Sequence, residues 1–241
     1  MIPYPELDSL EQGYYTQSGT VLQRKESGKN GQSVHLFLKD MGPLWVNAPA
    51  ATSKTRFGGA TEPLVWGTFY VYKSPGKLYM KNAEIREDFL PVRNDPVKLT
   101  TAIKLYKLLP GVLLKGHENN HALNSLWSAL VQLSNDCPAE LVEFRFLWRL
   151  LRSLGLCPSM THCVNCGTYI KGSAEICDDG FLCSKCSSNG RTSVNNEEIL
   201  IMQAAALLSH DKFMIWSKKT DNNKIISKYS KFLMSFFSNI N

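Results

Sequence analysis

Two Cys-x-x-Cys pairs constrain this chain more than any other feature of its sequence. The first pair is Cys163 and Cys166, the second is Cys183 and Cys186, and sixteen residues separate the two pairs. Each short pair directs two sulfurs at one ion from a tight turn, and the intervening loop brings the pairs together. Four thiolates fill a tetrahedral shell and leave no position for water. We therefore predict one structural zinc ion.

The other three cysteines, Cys137, Cys157 and Cys177, suggest no role of their own. An odd number of remaining cysteines argues against a disulfide framework and favours a reducing compartment. The first residues lack the pattern of a signal peptide, and no run of about 20 apolar residues would span a bilayer. We expect a cytoplasmic protein with no membrane partner.

The first eighty or so residues have the side-chain pattern of β-strands. Apolar residues alternate over 34–38, and residues 64–72 are rich in β-branched and aromatic side chains. A turn sequence at 74–76 separates this run from the next one. With an opening strand over 19–24, about five short strands result, and the natural five-stranded architecture is an OB-type barrel. We assign this barrel to residues 1–83.

From residue 84 onwards the apolar residues recur at helical spacing. The predicted helices lie over 99–109, 123–133, 141–154, 197–208 and about 222–239. We expect Pro110 to end the first helix and the polar segment 187–196 to be a linker. The predicted fold class is α+β, with a five-stranded OB-type β-barrel followed by an α-helical domain (84–241) that contains an inserted four-cysteine zinc module (163–186).

Two basic segments are candidates for binding anions on a chain of net charge +6. The loop that contains Lys54 and Arg56 suits phosphate contacts and base stacking, or it is a plain exposed connector. In the final helix, Lys224, Lys228 and Lys231 share one face. That face is either the solvated side of a core-packing helix or a site for phosphate or an acidic peptide.

No catalytic constellation is evident in the sequence, which lacks a phosphate-binding glycine loop and a GxSxG motif. We therefore expect a protein that is not an enzyme. The aromatic residues Trp66, Tyr70 and Tyr72 lie on one strand, where they offer either stacking surfaces or a core face. Two alternatives stay open, namely an RNA-binding or translation-associated OB/zinc-ribbon protein and a zinc-containing thiol oxidoreductase.

Three segments in order give the chain a resemblance to a known family. They are TSKTRFGGATEPLVWGTFYVYKSPGKLYM, LWRLLRSLGLCPSMTHCVNCG and the closing FLCSKC. Together they resemble the RecO family of bacterial recombination-mediator and DNA-repair proteins, and the resemblance extends over nearly the whole chain.

The resemblance implies an OB-fold, a helical domain, a zinc module and a non-enzymatic role in the bacterial cytoplasm, associated with the nucleoid. That role is to bind single- and double-stranded DNA, to anneal complementary strands and to help load recombinase onto DNA coated by single-strand-binding protein. The implied partners are RecR and the C-terminal tail of the single-strand-binding protein. The resemblance also implies that the four paired cysteines are zinc ligands and that Lys54 and Arg56 contact DNA. It implies that the lysines of the final helix bind the tail.

Overall fold

The computed structural model describes residues 10–27, 31–49, 57, 59–177, 179–187, 192–219 and 223–238. For residues 192, 223, 224, 227, 228 and 238 it describes the backbone alone. The chain forms two compact units, Met1–Ser134 and Asn135–Asn241. No helix in the described part of the chain is both long and apolar enough to cross a membrane.

The first unit contains a closed five-stranded barrel. Its strands are β1 (Gly13–Ser27), β2 (Gly31–Leu38), β3 (Gly42–Ala48), β4 (Trp66–Ser74) and β5 (Lys77–Glu87). They close in the order β1-β2-β3-β5-β4, and β1 runs antiparallel to both β2 and β4. β3 and β5 are parallel, and among the described residues a single pair, Asn47 and Tyr79, joins them. The predicted α+β class with an N-terminal five-stranded barrel is confirmed.

The barrel core follows the predicted alternation along β2. Val34, Leu36 and Leu38 are completely buried, and Leu78 and Met80 of β5 belong to the same apolar cluster. Burying each such side chain contributes about 1.5–3 kcal/mol, so this face determines the register of the strands. β1 is longer than the predicted 19–24 because its first half pairs with β4 and its second half with β2.

Three helices complete the first unit, namely α1 (Leu90–Arg93), α2 (Pro96–Val112) and α3 (Asn120–Ser134). The buried Tyr106 of α2 places its hydroxyl 2.8 Å from Thr20 Oγ1 and accepts a 3.0 Å hydrogen bond from Trp66 Nε1. These contacts attach α2 to the barrel. The predicted boundary after residue 83 therefore differs from the division of the compact units, which falls after Ser134.

The prediction that Pro110 ends the first helix is wrong. α2 continues through Pro110 to Val112, and the Leu113 N–H donates to the Leu109 carbonyl at 3.0 Å. Proline removes one backbone donor from a helix. At Pro110 this loss falls within the last turn, where the bond from Leu113 still closes the helix.

The second unit combines four helices with a small sheet. Its elements are α4 (Ala139–Ser153), β6 (Ala174–Cys177), β7 (Gly180–Cys183), β8 (Thr192–Val194), α5 (Asn196–Leu207), α6 (His210–Ser217) and α7 (Asn223–Ser238). α4 packs against α5 and α7. On α7 the buried arc consists of Ile226, Tyr229, Leu233 and Phe237.

Two elements of the second unit were not predicted from the sequence. β8 lies in the segment interpreted as a linker, and it pairs with β6 while burying Val194 completely. A strand of three residues is too short to show a periodic pattern. α6 is a helix of eight residues that packs Phe213 into the interior.

Candidate functional site

The first cysteine pair lies on a tight turn before the small sheet. The Gly167 N–H donates to the Cys163 carbonyl at 2.9 Å, and the Cys163 N–H donates to the Thr168 carbonyl at 2.9 Å. Gly167 has φ 69°, a conformation that strains residues with a side chain. The turn places the Cys166 sulfur beside Cys183 of the second pair.

The second cysteine pair begins at the end of β7. Backbone N–H groups of Cys186 and Ser187 both donate to the Cys183 carbonyl at 3.0 Å, which forms the second turn. The two turns are joined directly, because the Val164 N–H donates to the Phe181 carbonyl at 2.9 Å. The hairpin β6–β7 therefore determines where both pairs of sulfurs lie.

The four sulfur atoms of Cys163, Cys166, Cys183 and Cys186 lie within 4.8 Å of one another. The Sγ atoms of Cys166 and Cys183 are 3.7 Å apart. Zinc–sulfur bonds of about 2.3 Å in a tetrahedron place neighbouring sulfurs roughly 3.8 Å apart. The separation and the all-sulfur donor set both fit one tetrahedral metal ion.

Hydrogen bonds around the first cysteine pair favour the thiolate form that binds metals. Backbone N–H groups of Cys183, Cys166 and Asn165 lower the pKa of Cys163 to about 6. The neighbouring Thr168 lowers the pKa of Cys166, and its hydroxyl lies 3.3 Å from that sulfur. Such donors stabilise a charged sulfur on the first pair before any ion arrives. The pKa of Cys186, by contrast, is raised to about 12 despite a hydrogen bond with Asn165, mainly by its hydrogen bond with Cys166.

The remaining cysteines do not belong to this cluster. Cys137 is buried, whereas Cys157 and Cys177 are half-buried. Burial raises the pKa of Cys157 to about 12, so this group stays a thiol. Cys177, on β6, packs against the cluster beside Leu182.

The basic residues predicted from the sequence are only partly described. Lys54 and Arg56 lie outside the described residues. Lys224, Lys228 and Lys231 all fall in α7, and the side chains of Lys224 and Lys228 also lie outside the description. Lys231 is exposed, away from the buried arc of the helix. The assignments of these five residues stay predictions.

The aromatic residues of β4 have two different environments. Trp66 is buried and donates its indole N–H to Tyr106, so it belongs to the joint between β4 and α2 and not to a stacking surface. Tyr70 donates its hydroxyl to Glu84 Oε1 at 2.8 Å. Tyr72, by contrast, lies among aromatic neighbours on the outer face of the barrel.

Three tyrosines form what we call the tyrosine ladder, namely Tyr14, Tyr72 and Tyr79. Tyr14 of β1 pairs with Tyr72 of β4, and Tyr72 pairs with Tyr79 of β5, so the three residues lie side by side on adjacent strands. The ring centroids of Tyr14 and Tyr72 are 4.9 Å apart, and Tyr14 is 76% exposed. Lys81 Nζ lies 5.2 Å from the Tyr72 ring and 5.9 Å from the Tyr79 ring. The sequence did not show this ladder.

A match to a family model shows to which known proteins this chain is related. The model described as "Recombination protein O C terminal" matches residues 93–236, which is more than half of the chain. The chain belongs to the RecO family. The match runs from α1 through the cysteine cluster into α7, so it includes the candidate metal centre.

Curated relatives of this RecO chain extend the similarity into the barrel. A "DNA repair protein RecO" of Acetivibrio thermocellus is 26% identical over 190 residues, which are 77% of this chain and 75% of the relative. That of Alkaliphilus metalliredigens is 24% identical over 221 residues, or 88% of this chain and 90% of the relative. That of Bacillus subtilis is 24% identical over 173 residues, or 70% and 67%.

Proposed function

We propose that this protein is a non-enzymatic factor of DNA repair and recombination that binds DNA through an OB-type barrel. Membership of the RecO family and the names of the relatives support the cellular role. The closed barrel, in which β1 pairs with both β2 and β4, supports the OB-type assignment. The single observation that carries DNA binding is the tyrosine ladder with Lys81 beside it.

The chemistry of the tyrosine ladder suits single-stranded DNA. Every base has an aromatic face, so base stacking on tyrosine tolerates any sequence and contributes about 1–3 kcal/mol per base. Tyr14 exposes 76% of its surface, which leaves a ring face for a base. Lys81 supplies a cation within reach of the phosphates that follow stacked bases. This surface therefore combines the two interactions that non-specific binding of single strands requires.

The finer activities are part of the same proposal. We assign to this protein binding of single- and double-stranded DNA, annealing of complementary strands and loading of recombinase onto DNA coated by single-strand-binding protein. Lys54 and Arg56 contact phosphates, and the α7 lysines Lys224, Lys228 and Lys231 bind the acidic tail of the single-strand-binding protein. RecR is the second protein partner. This role places the protein in the bacterial cytoplasm, with the nucleoid.

We propose further that the cysteine cluster holds one structural zinc ion. The four sulfurs would complete its coordination, so the ion would crosslink the two turns and supply folding free energy. Four thiolates bound to zinc cannot cycle between dithiol and disulfide, which argues against the thiol oxidoreductase alternative.

The test of the proposed function is fluorescence anisotropy with a labelled single-stranded oligonucleotide at several salt concentrations. Tyr14→Ala should weaken binding about 5- to 160-fold, the range of one lost stacking contact. Lys81→Ala should reduce the slope of log K against log salt by about 0.7. Tyr169→Ala is the control, because Tyr169 is an exposed tyrosine of the second unit. Unchanged binding by Tyr14→Ala and Lys81→Ala would contradict the assignment.

The same assay separates DNA from RNA as the ligand. Unlabelled single-stranded DNA should displace the probe at lower concentration than single-stranded RNA of the same sequence. Preferential displacement by RNA would favour the RNA-binding alternative instead.

A further inference from the structure

A cavity of about 370 Å³ opens beside the tyrosine ladder at one end of the barrel. Tyr79, the last member of the ladder, forms part of its wall together with Gln32, Asn47 and Lys77. These residues come from β2, β3 and β5. The cavity therefore continues the surface to which the proposed function assigns stacked bases.

The barrel is weakly closed along a seam that borders the cavity. In the described residues, β3 and β5 share the single pair Asn47 and Tyr79, whereas the other neighbouring strands pair over many residues. Asn47 Nδ2 donates to the Leu78 carbonyl at 3.2 Å, which holds the two strands together at that point. Where this short pairing ends, a residue that faces the barrel interior borders the cavity.

Gln32 is that residue. It alternates with Val34 on the core side of β2, and only 8% of its surface is exposed. Its Oε1 atom is buried and has no hydrogen-bond partner among the described residues. A buried acceptor without a donor is unfavourable, so an unpaired amide oxygen in a cavity wall indicates a ligand that donates a hydrogen bond.

We propose that this cavity accepts one unstacked nucleobase of single-stranded DNA, with Gln32 accepting a hydrogen bond from its exocyclic amino group. The base stacks on Tyr79, and the exposed Lys77 lies at the opening, where a phosphate follows. Cytosine, adenine and guanine carry an exocyclic amino group, whereas thymine and uracil present a carbonyl. The inference rests on the proposed function and adds to it a preference for amino-bearing bases.

Base pairing restricts access to this cavity. A base inside a duplex has its Watson–Crick edge paired and its faces stacked, so it must leave the helix before it can enter. A base of a single strand needs only to rotate away from its neighbours. The cavity therefore also favours single strands over duplexes of the same sequence.

The experiment compares oligodeoxycytidine with oligodeoxyuridine of equal length, because the two bases differ at the 4-position in an amino group and a carbonyl. We expect the wild-type protein to bind oligodeoxycytidine about 2- to 10-fold more tightly, the range of one net hydrogen bond. Gln32→Met, which keeps the length of the side chain, should bind both equally. Gln17→Met is the matched control, because Gln17 lies on β1 outside the cavity and should leave the preference unchanged.

The results of this experiment test the cavity assignment and the proposed function separately. Equal binding of both oligonucleotides by the wild-type protein, or a preference that persists in Gln32→Met, would overturn the cavity assignment while leaving the proposed function intact. A wild-type protein that binds neither oligonucleotide would overturn the proposed function itself. If Gln32→Met does not fold, Gln32→Glu keeps the acceptor and should retain the preference, and the comparison within the wild-type protein stands without any variant.

Discussion

Phe181 of β7 packs edge-to-face against Phe232 of α7, with 6.0 Å between the ring centroids. Phe181 lies two residues before Cys183, and its carbonyl accepts the hydrogen bond from Val164 that joins the two cysteine turns. One residue thus contacts both the candidate metal centre and the final helix. The order of the cluster and the packing of α7 are therefore coupled within the second unit.

This coupling predicts the effect of removing a metal ligand. Cys183→Ser should abolish zinc binding and destabilise the second unit by several kcal/mol, since the binding free energy of a structural zinc is folding free energy of about 10–16 kcal/mol in small domains. Hydrogen exchange should accelerate in α7 while the barrel strands keep their protection.

The control for the metal prediction is Cys157→Ser, because Cys157 is half-buried and lies outside the cluster. This variant should retain one zinc per chain by elemental analysis. Freshly purified wild-type protein that contains no zinc and has full stability would contradict the structural role of the ion.

A second prediction concerns the joint between α2 and the barrel. Tyr106→Phe removes the hydroxyl that accepts from Trp66 Nε1 and bonds with Thr20 Oγ1. The buried indole N–H then lacks an acceptor, so the free energy of unfolding of the first unit should fall by about 1–3 kcal/mol in urea titrations. Tyr70→Phe, which breaks an exposed bond to Glu84, should change it by less than about 0.5 kcal/mol. Equal changes in the free energy of unfolding would mean that the buried hydrogen bonds of Tyr106 contribute no more to stability than the exposed one of Tyr70.

A third prediction follows from the buried His35, whose ring stacks on Trp45 with 4.6 Å between centroids. Burial, and then the charges of Lys115 and Lys25, lower the pKa of His35 to about 4 from 6.5. The unfolded chain therefore binds the proton first. Stability of the first unit should be unaffected by this group above pH 6.5 and should fall as the pH drops towards 4, by about 3 kcal/mol in total.

Urea titrations at pH 7, 5.5 and 4.5 measure this dependence. His35→Gln should flatten it, whereas His121→Gln is the control because His121 is exposed on α3. The same pH dependence in wild type and His35→Gln would show that the loss comes from other groups.

The sequence predicted those features that depend on local spacing. The cysteine cluster follows from two short pairs, and the strands β4 and β5 follow from the two runs that the turn at 74–76 separates. The position of Tyr14 could not be predicted, because it depends on the register between β1 and β4, which are far apart in the chain. Gln32 could not be identified either, since one polar residue in an apolar alternation does not reveal whether its oxygen has a partner.

A fourth prediction tests the loop cations. Replacing Lys54 and Arg56 by alanine should weaken binding to all single-stranded sequences alike and reduce the slope of log K against log salt by about one to two units. The charge-conserving pair Lys54→Arg and Arg56→Lys should keep the slope. This control distinguishes an effect of lost charge from an effect of altered loop conformation. An unchanged slope in the alanine variant would mean that the loop is only a connector.

A fifth prediction concerns the basic face of α7. Lys224, Lys228 and Lys231 recur at spacings of four and three, so they share a helix face beside the half-buried Phe232 and Phe236. An acidic peptide that ends in an apolar residue could place its carboxylates on the lysines and its apolar side chain against these phenylalanines. Exposed ion pairs contribute little individually, about 0–1 kcal/mol, so reversal of all three charges to glutamate is the informative change.

The measurement is calorimetric titration with the C-terminal tail peptide of the single-strand-binding protein. The triple reversal should abolish binding while zinc content and the circular dichroism spectrum stay unchanged. Reversing Lys171, Lys212 and Lys218 instead alters the net charge by the same amount at exposed positions of the second unit and should leave binding intact. Wild-type affinity in the α7 variant would show that these lysines form only a solvated face and do not bind the tail. Equal loss in both variants would show that net charge, and not this face, attracts the tail.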